Sequence, residues 1–335
     1  MKITNIITVI ILIIYLIIMY YLNSFYGLFK FILSLLIYTL IFYWLHYIWV
    51  NIRKKGLMIF TDFLIYFLNR VSIFLVFITI LFWTLTYLSN EIYPAPMPEY
   101  TISNWTKTIK FQAMSHIWTK TFYNNIVSNI KEYKNKWWVY FYEWVKPGSE
   151  ESLKKFNKAI WIEFDKNLYK NFSKLYWVIN QDNRIFMWLV NDLDFNIDLN
   201  MDQIVKLYEE KTKNKKEYET KVPVDANKII IETLSKLNEK ELKILVYINQ
   251  ALLNFIISNE STQSFLTNNF ANKDLFDVIL WERNIIIKDA IINSEYNKIY
   301  MTYWLLHFKW VLKLLKEEDS KWKIIDTKNL YPIKN

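Results

Sequence analysis

Hydrophobic residues follow two different patterns along this chain. Residues 6–22, 31–50 and 71–88 are almost uninterrupted apolar runs, each near the roughly 20 residues that a helix needs to cross a bilayer. Beyond residue 100 the apolar positions become periodic, alternating in short runs and recurring every three or four residues in longer ones. The first pattern predicts membrane-spanning helices, and the second predicts a folded domain of strands and helices.

Residues 1–90 are therefore predicted to form a membrane anchor of about three transmembrane helices. A further apolar segment, Leu57–Leu68, is too short to span alone. It is expected to lie at the interface or to extend the third span, and a tilted crossing is the alternative. Only Lys2 precedes the first run and no small-residue cleavage site follows it, so we interpret that run as an anchor rather than a signal peptide.

The distribution of basic residues predicts the orientation of the anchor. Arg53, Lys54, Lys55 and Arg70 cluster between the second and third spans, whereas residues 89–100 contain no basic residue. Because cytoplasmic loops are enriched in basic residues, this bias predicts a cytoplasmic N-terminus and an extracytoplasmic C-terminal domain.

A short linker is expected between the anchor and the domain. Residues 91–104 contain Pro94, Pro96 and Pro98, which stiffen a chain and prevent a helix from continuing. Residues 105–335 then predict an α/β domain, with a mixed sheet, helices and a helical insert. The predicted strands lie near 107–113, 138–142, 297–304 and 322–326, and the predicted helices near 120–134, 202–216, 225–237, 240–258, 274–292 and 311–316.

Charge and composition narrow the range of partners. The 41 basic and 32 acidic residues leave a net charge of +9, and no basic stripe with interleaved exposed aromatics stands out. Nucleic acid is therefore not expected as a partner, whereas the lipid bilayer is. The absence of cysteine excludes disulfides, thiolate catalysis and thiolate metal ligands. The oligomeric state is not indicated by the sequence.

The clearest candidates for chemistry are two histidines. His116 and His307 are the only histidines outside the anchor, and each lies where a strand-like run gives way to a helix-like one. Ligands of α/β domains gather at the carboxyl ends of strands, so we expect both imidazoles to meet at one crevice. The third histidine, His46, lies in a predicted span and is expected to be interfacial or packed against another helix.

Glycine is unusually rare and tryptophan unusually common. The chain has 3 glycines and 15 tryptophans, although an ordinary glycine share of ~7% would give roughly 23. Trp105 follows an asparagine, and Trp137 and Trp322 lie in polar turns, where glycine is the usual residue. One hypothesis is that UGA codons for glycine are read here as tryptophan. The alternative is that the tryptophans are genuine, some in an interfacial belt, such as Trp44, Trp49 and Trp83.

Four short motifs resemble those of the TraB/PrgY/GumN family, which includes the Tiki-type membrane-tethered peptidases. That family has two Gly-x-x-His motifs at strand ends, a glutamate that ends the strand after the first motif, and a Glu-Arg-Asn/Asp segment before the second. Here the corresponding stretches are Ala113-Met114-Ser115-His116, Tyr142-Glu143-Trp144-Val145, Trp281-Glu282-Arg283-Asn284 and Trp304-Leu305-Leu306-His307. Alanine replaces the first glycine, and Asn196-Ile197-Asp198-Leu199 resembles a mid-domain stretch whose role the residues do not indicate.

The resemblance implies a TraB/ChaN/erythromycin-esterase-like fold and a metal-dependent peptidase that acts near the membrane. His116 and His307 would be metal ligands, with Glu143 as a third ligand or the general base. Arg283 would orient Glu143 or hold a substrate carboxylate. The metal would be divalent, with Mn, Co and Zn as possibilities. The alternatives are a non-catalytic protein that binds or shuts down a peptide signal, such as a pheromone, and an inactive envelope scaffold.

Overall fold

The computed structural model describes residues 3–115, 117–163, 167–181, 183–212, 223–269 and 272–333. The chain divides into two compact units. The first contains Met1–Tyr87 together with Leu237–Lys243, and the second contains Leu88–Lys236 and Ile244–Asn335.

The first unit is built from helices α1 (Ile3–Arg53) and α2 (Phe60–Tyr87). The rings of Tyr15 and Phe31, both on α1, stack with centroids 6.4 Å apart. A straight helix would hold these residues about 24 Å apart, at about 1.5 Å per residue. Helix α1 therefore bends back between these two residues, and its two halves lie side by side.

Helix α2 begins earlier than the predicted third span. It starts at Phe60 rather than near residue 71, so most of the short apolar segment continues into this helix. The Tyr15 hydroxyl donates to the Leu75 carbonyl at 2.9 Å, and the Asn69 side chain donates to Asn5 Oδ1 at 3.2 Å. These bonds satisfy polar groups between two helices whose outward side chains are mostly apolar.

Among the described residues, three helices are long and apolar enough to cross a membrane: Phe29–Arg53, Phe60–Ile92 and Glu239–Ser258. Ile3–Ile18 is a shorter apolar helix. Many of their large apolar side chains are exposed, for example Ile17 and Phe77 at 62% and 61%. Such surfaces suit a lipid environment, so the chain is compatible with membrane association.

The second unit is a mixed α/β fold around a six-stranded sheet, in the order β6-β4-β7-β2-β1-β8. Neighbours among β2, β7, β4 and β6 are parallel, whereas β1 is antiparallel to both β2 and β8. Strands β3 and β5 form a separate pair. The strands are β1 (Met97–Ser103), β2 (Thr108–Met114), β3 (Ile117–Trp118), β4 (Val139–Tyr142), β5 (Ile179–Asn180), β6 (Phe195–Asn196), β7 (Lys298–Trp304) and β8 (Lys323–Leu330).

Helices surround this sheet and occupy most of the predicted positions. They are α3 (Lys120–Asn135), α4 (Glu150–Ile160), α5 (Leu168–Lys174), α6 (Asn183–Met187), α7 (Met201–Thr212), α8 (Ala226–Lys236), α9 (Glu239–Ser258), α10 (Glu260–Asn269), α11 (Lys273–Asp277), α12 (Arg283–Asn293) and α13 (Phe308–Glu318). A π-helical turn, Val278–Glu282, joins α11 to α12, where the sequence predicts one continuous helix. Strands β2, β4, β7 and β8 also lie near their predicted positions.

The segment expected to be a linker differs from the prediction. Met97–Ser103 is strand β1, which pairs on one side with β2 and on the other with β8. Pro98 lies near the start of this strand. The next residue, Glu99, is only 1% exposed, and its carboxylate accepts hydrogen bonds from Lys110, Asn129 and Tyr133. The domain therefore begins before residue 105, and prolines at its start concealed the strand.

Alternating side chains of the sheet face two helical layers. Tyr133 of α3 stacks on Tyr300 of β7 with ring centroids 4.8 Å apart. On the other face Phe308 of α13 meets Phe111 of β2 edge-on at 5.1 Å. Both faces are thus buried, as expected for the parallel part of a sheet.

The carboxyl ends of the parallel strands lie at one edge. Met114, which ends β2, is the register partner of Trp304, which ends β7. Tyr142, which ends β4, pairs with Thr302 on one side and Asn196 on the other. The strand ends that precede the two histidine motifs are therefore neighbours, as the sequence predicts.

We expect the side-by-side halves of α1 to be detectable by crosslinking, because the chain has no cysteine of its own. A variant with Tyr15→Cys and Phe31→Cys should be joined by a short bismaleimide in detergent, as read by mass spectrometry of the digested chain. The control variant, with Tyr15→Cys and Trp49→Cys, should not be joined. Equal crosslinking of both pairs, or of neither, would contradict the arrangement.

Candidate functional site

Glu143 stands at the centre of the strand-end edge. It is the residue after β4, and its backbone N–H donates to the Thr302 carbonyl of β7 at 3.2 Å. Its Oε2 accepts from the backbone N–H of Trp304 at 2.7 Å. Glu143 is therefore held to the end of β7 through both its backbone and its carboxylate.

The Arg283 guanidinium links Glu143 to Asp198. Nη2 of Arg283 donates to Oε1 of Glu143, while Nε and Nη2 donate to the two oxygens of Asp198 at 2.7 and 2.9 Å. Only 4% of Arg283 is exposed, and the side chain of Asp198 is fully buried. A planar guanidinium is suited to this fork-like contact, which a lysine could not reproduce.

Local structure places Arg283 and Asp198. Arg283 is the first residue of α12, directly after the π-helical turn, and such turns are frequent at functional sites. Asp198 lies just beyond β6, where the Leu199 N–H donates to its Oδ1 at 2.8 Å. Burial raises the pKa of Asp198 to about 6, although the positive charge of Arg283 lowers it.

His307 is held in a fixed orientation next to this cluster. It ends a 3-10 turn after β7, is fully buried, and its Nδ1 lies 2.7 Å from Oδ1 of Asn284. Since an amide oxygen can only accept, Nδ1 carries the hydrogen and Nε2 is left as an acceptor. Among the described residues, that Nε2 has no hydrogen-bond partner.

The electrostatic surroundings keep His307 neutral. Burial holds its pKa well below the usual value, and the nearby Arg283 charge lowers it further. The ring of Tyr303 lies between the two groups, edge-on to His307 at 4.8 Å and 5.2 Å below the Arg283 guanidinium. A neutral imidazole with one fixed N–H and one bare nitrogen is the form in which histidine binds metals.

A cavity of about 490 Å³ opens beside Glu143. Its walls include Glu143, Arg283 and Thr302 on the polar side, and apolar side chains such as Phe156 and Ile279 elsewhere. Tyr169 also lines it, and burial, then the Glu143 charge, raise the pKa of this phenol to about 12. An apolar cavity with a few convergent polar groups is the usual form of a small-molecule or peptide site.

The structure brings together three of the four predicted site residues in one part of the sheet edge: Glu143, Arg283 and His307. The fourth, His116, lies outside the described residues. Within the described ranges, no group of three or more histidine, cysteine, aspartate or glutamate residues is arranged to hold a metal ion. The donor chemistry of His307 nonetheless suits a metal, because its buried Nε2 accepts no hydrogen bond from the part of the chain that the structure describes.

The chain matches no protein-family model, no curated protein and no solved structure at a significant level.

Several residues of the site were not predicted in their present roles. Asp198 belongs to a motif whose role the sequence does not indicate, and its pairing with Arg283 joins residues 85 positions apart. Asn284 belongs to the Glu-Arg-Asn motif, but nothing in the sequence links it to His307. Asn196 accepts from the Trp144 N–H at 3.2 Å and donates to its carbonyl at 3.0 Å, which fixes the chain after Glu143.

We predict that Arg283→Ala lowers the free energy of unfolding by about 3–5 kcal/mol, because it leaves the carboxylates of Asp198 and Glu143 without their positive partner. Chemical denaturation of the full chain in detergent would measure this loss. A triple variant, Arg283→Met with Asp198→Asn and Glu143→Gln, should recover much of it, since no unpaired charge remains. An unchanged stability in Arg283→Ala would show that the cluster is not buried as described.

We also predict that His307 stays neutral when the pH falls from 8 to 5 in the presence of a chelator. NMR of histidine-labelled protein can follow each ring separately, because the chain has only three histidines. Since the folded pKa is depressed, the stability contributed by neutral His307 is complete above the unfolded pKa of about 6.5 and is lost as the pH falls below it. A titration of the His307 ring near pH 6.5 would contradict the prediction.

Proposed function

We propose that this chain is a membrane-anchored, metal-dependent hydrolase of peptides, similar to the TraB/PrgY/GumN family and its Tiki-type members. The observation that carries the proposal is the state of the buried His307, which is neutral, hydrogen-bonded through Nδ1 and, among the described residues, without a partner at Nε2. The oriented carboxylate of Glu143 at the same strand-end edge supports it.

His307 and His116 would hold the metal in this proposal, with Glu143 as the third ligand or as the general base. A divalent ion such as Mn, Co or Zn would polarise a carbonyl and make water more acidic when bound. Glu143 would accept a proton at its carboxylate and return it to the leaving amine. Arg283 and the Trp304 N–H keep that carboxylate in one orientation.

The orientation in the membrane is also part of the proposal. The basic residues Arg53, Lys54, Lys55 and Arg70 would keep the loop between the spans in the cytoplasm. The α/β unit would then face the extracytoplasmic side, where its substrates would be peptides or proteins close to the membrane.

A second candidate is a non-catalytic protein that binds a peptide signal. Both carboxylate oxygens of Glu143 already accept hydrogen bonds, from Arg283 and from the Trp304 N–H. To accept a proton, Glu143 would have to give up one of these bonds, whereas binding a ligand in the cavity requires no such change. The mostly apolar cavity beside it would suit such a ligand equally well.

We expect the full chain in detergent to bind a divalent metal and to cleave quenched fluorescent peptides when supplied with Mn, Co or Zn. His307→Ala should abolish both metal binding and cleavage. Glu143→Gln should lower the cleavage rate by about 100- to 10,000-fold, the usual contribution of a general base. The control, Glu295→Gln, changes an exposed residue outside the site and should match the unmodified chain.

The other outcomes of this experiment separate the alternatives. Peptide that binds but stays intact with every metal would favour the signal-binding protein. A folded chain that binds neither metal nor peptide would overturn both proposals and leave an envelope scaffold.

A further inference from the structure

Left-handed backbone in this protein falls almost entirely on tryptophan. Among the described residues, five that are not glycine have positive φ: Lys54 and four tryptophans. The tryptophans are Trp105, Trp137, Trp161 and Trp177, with φ of 80°, 63°, 58° and 52°. This region is strained for residues with a side chain, and glycine is its usual occupant. Since only 15 of 335 residues are tryptophan, the coincidence requires a physical reason.

Each of these tryptophans lies in a turn that favours glycine. Trp161 is the left-handed C-cap of α4, and Trp137 follows the C-cap of α3. Trp177 lies shortly after α5, and its N–H donates back to the Lys174 carbonyl at 3.4 Å. Trp105 follows Asn104 in the turn between β1 and β2. Helix ends and Asn-Gly hairpins are the two commonest places for a left-handed glycine.

Three of the four indole groups gain little packing from these positions. Trp137, Trp105 and Trp177 are 89%, 76% and 63% exposed, so packing does not offset the backbone strain. Two other tryptophans, Trp118 and Trp322, are buried, yet their indole N–H groups find no hydrogen-bond partner in the described part of the chain. Buried indoles normally do find one.

We propose that the tryptophans of this chain are specified by a codon that its own cell reads as glycine, and that the cleft beside Glu143 is consequently larger than the tryptophan side chains allow. The codon would be UGA, which different translation tables assign differently. Reading all 15 as glycine would raise the glycine count from 3 to 18, much nearer to the roughly 23 that an ordinary share of ~7% gives.

Trp304 is the position at which a glycine would change the shape of the site. A second cavity, of about 540 Å³, lies next to the one beside Glu143. Trp304 lines both, together with Met114, Ser115, Ile160 and Phe276. Glycine at position 304 would keep the backbone N–H that binds Glu143 while removing the indole from the shared wall. The two cavities would then form one continuous cleft.

The joined cleft has one polar end, at Glu143 and Arg283, and one mostly apolar end, lined by Leu253, Ile256 and Leu305. If the proposed peptidase function is correct, the apolar end would receive a large apolar side chain next to the cleaved bond. This assignment of substrate class depends on the proposed function, whereas the identity of the residues and the shape of the cleft do not.

Backbone strain at the four tryptophans with positive φ can be tested by substitution in the full chain. Trp105→Gly, Trp137→Gly, Trp161→Gly and Trp177→Gly should each raise Tm in detergent by about 2–4 °C, because strain is removed from the folded state. The matched alanine variants also remove the indole but keep a Cβ, and they should not raise Tm. If glycine and alanine change Tm equally, the proposal that these positions strain the backbone is wrong.

The identity of the residues is tested by the gene and by the native protein. UGA at these positions, and native peptides lighter by the mass difference between tryptophan and glycine, are the expected results. UGG at the four positions with positive φ, or tryptophan in the native peptides, would overturn the proposal. Neither measurement requires the protein to be an enzyme.

The shape of the cleft is tested with a single introduced thiol. In an Ile160→Cys chain, a bulky maleimide should react several-fold faster when Trp304→Gly is added. Trp310→Gly removes an indole outside both cavities and is the control. If the rate is the same with and without the indole at position 304, the joined cleft is wrong even if peptide cleavage is observed.

Discussion

The ion pairs of Arg283 with Glu143 and Asp198 are the interaction on which this end of the fold depends. Glu143 follows β4, Asp198 follows β6 and Arg283 begins α12, so one guanidinium ties three separate parts of the chain together. Charges buried this deeply are tolerated only when they are paired and hydrogen-bonded. The pairing therefore restricts where α12 can dock and holds Glu143 at the end of β7.

The second constraint is the parallel arrangement of β2, β7, β4 and β6, which brings all their carboxyl ends to one edge. Because β7 lies between β2 and β4, the turn after β7 places His307 at the same edge of the sheet as the residue that follows β4. Tyr303 then connects the histidine to the arginine, with its ring against both side chains. The positive charge behind the ring and the complete burial of the imidazole act in the same direction, since both favour the neutral form.

Periodicity in the sequence was enough to locate β2, α3, β4, β7 and α13, because their apolar residues repeat at the spacing of the element that buries them. It failed at β1, where Pro94, Pro96 and Pro98 indicate a linker although the strand is paired on both sides. Periodicity also does not indicate that Asp198 contacts Arg283 or that Asn284 contacts His307. These contacts join residues far apart in the sequence, and only the strand order brings them together.

The groups that assemble the site differ from the side chain that controls access to it. Among the described residues, Trp304 and Trp144 make polar contacts through the backbone: the Trp304 N–H binds Glu143, and the N–H and carbonyl of Trp144 bind Asn196. The strand ends, Arg283 and Asn196 would therefore hold the same geometry with any residue at these two positions that keeps its N–H. The side chain at position 304 affects the volume beside the carboxylate instead. For this reason a glycine there would be consistent with an unchanged arrangement of Glu143, Arg283 and His307, while changing the size of the ligand that can reach them.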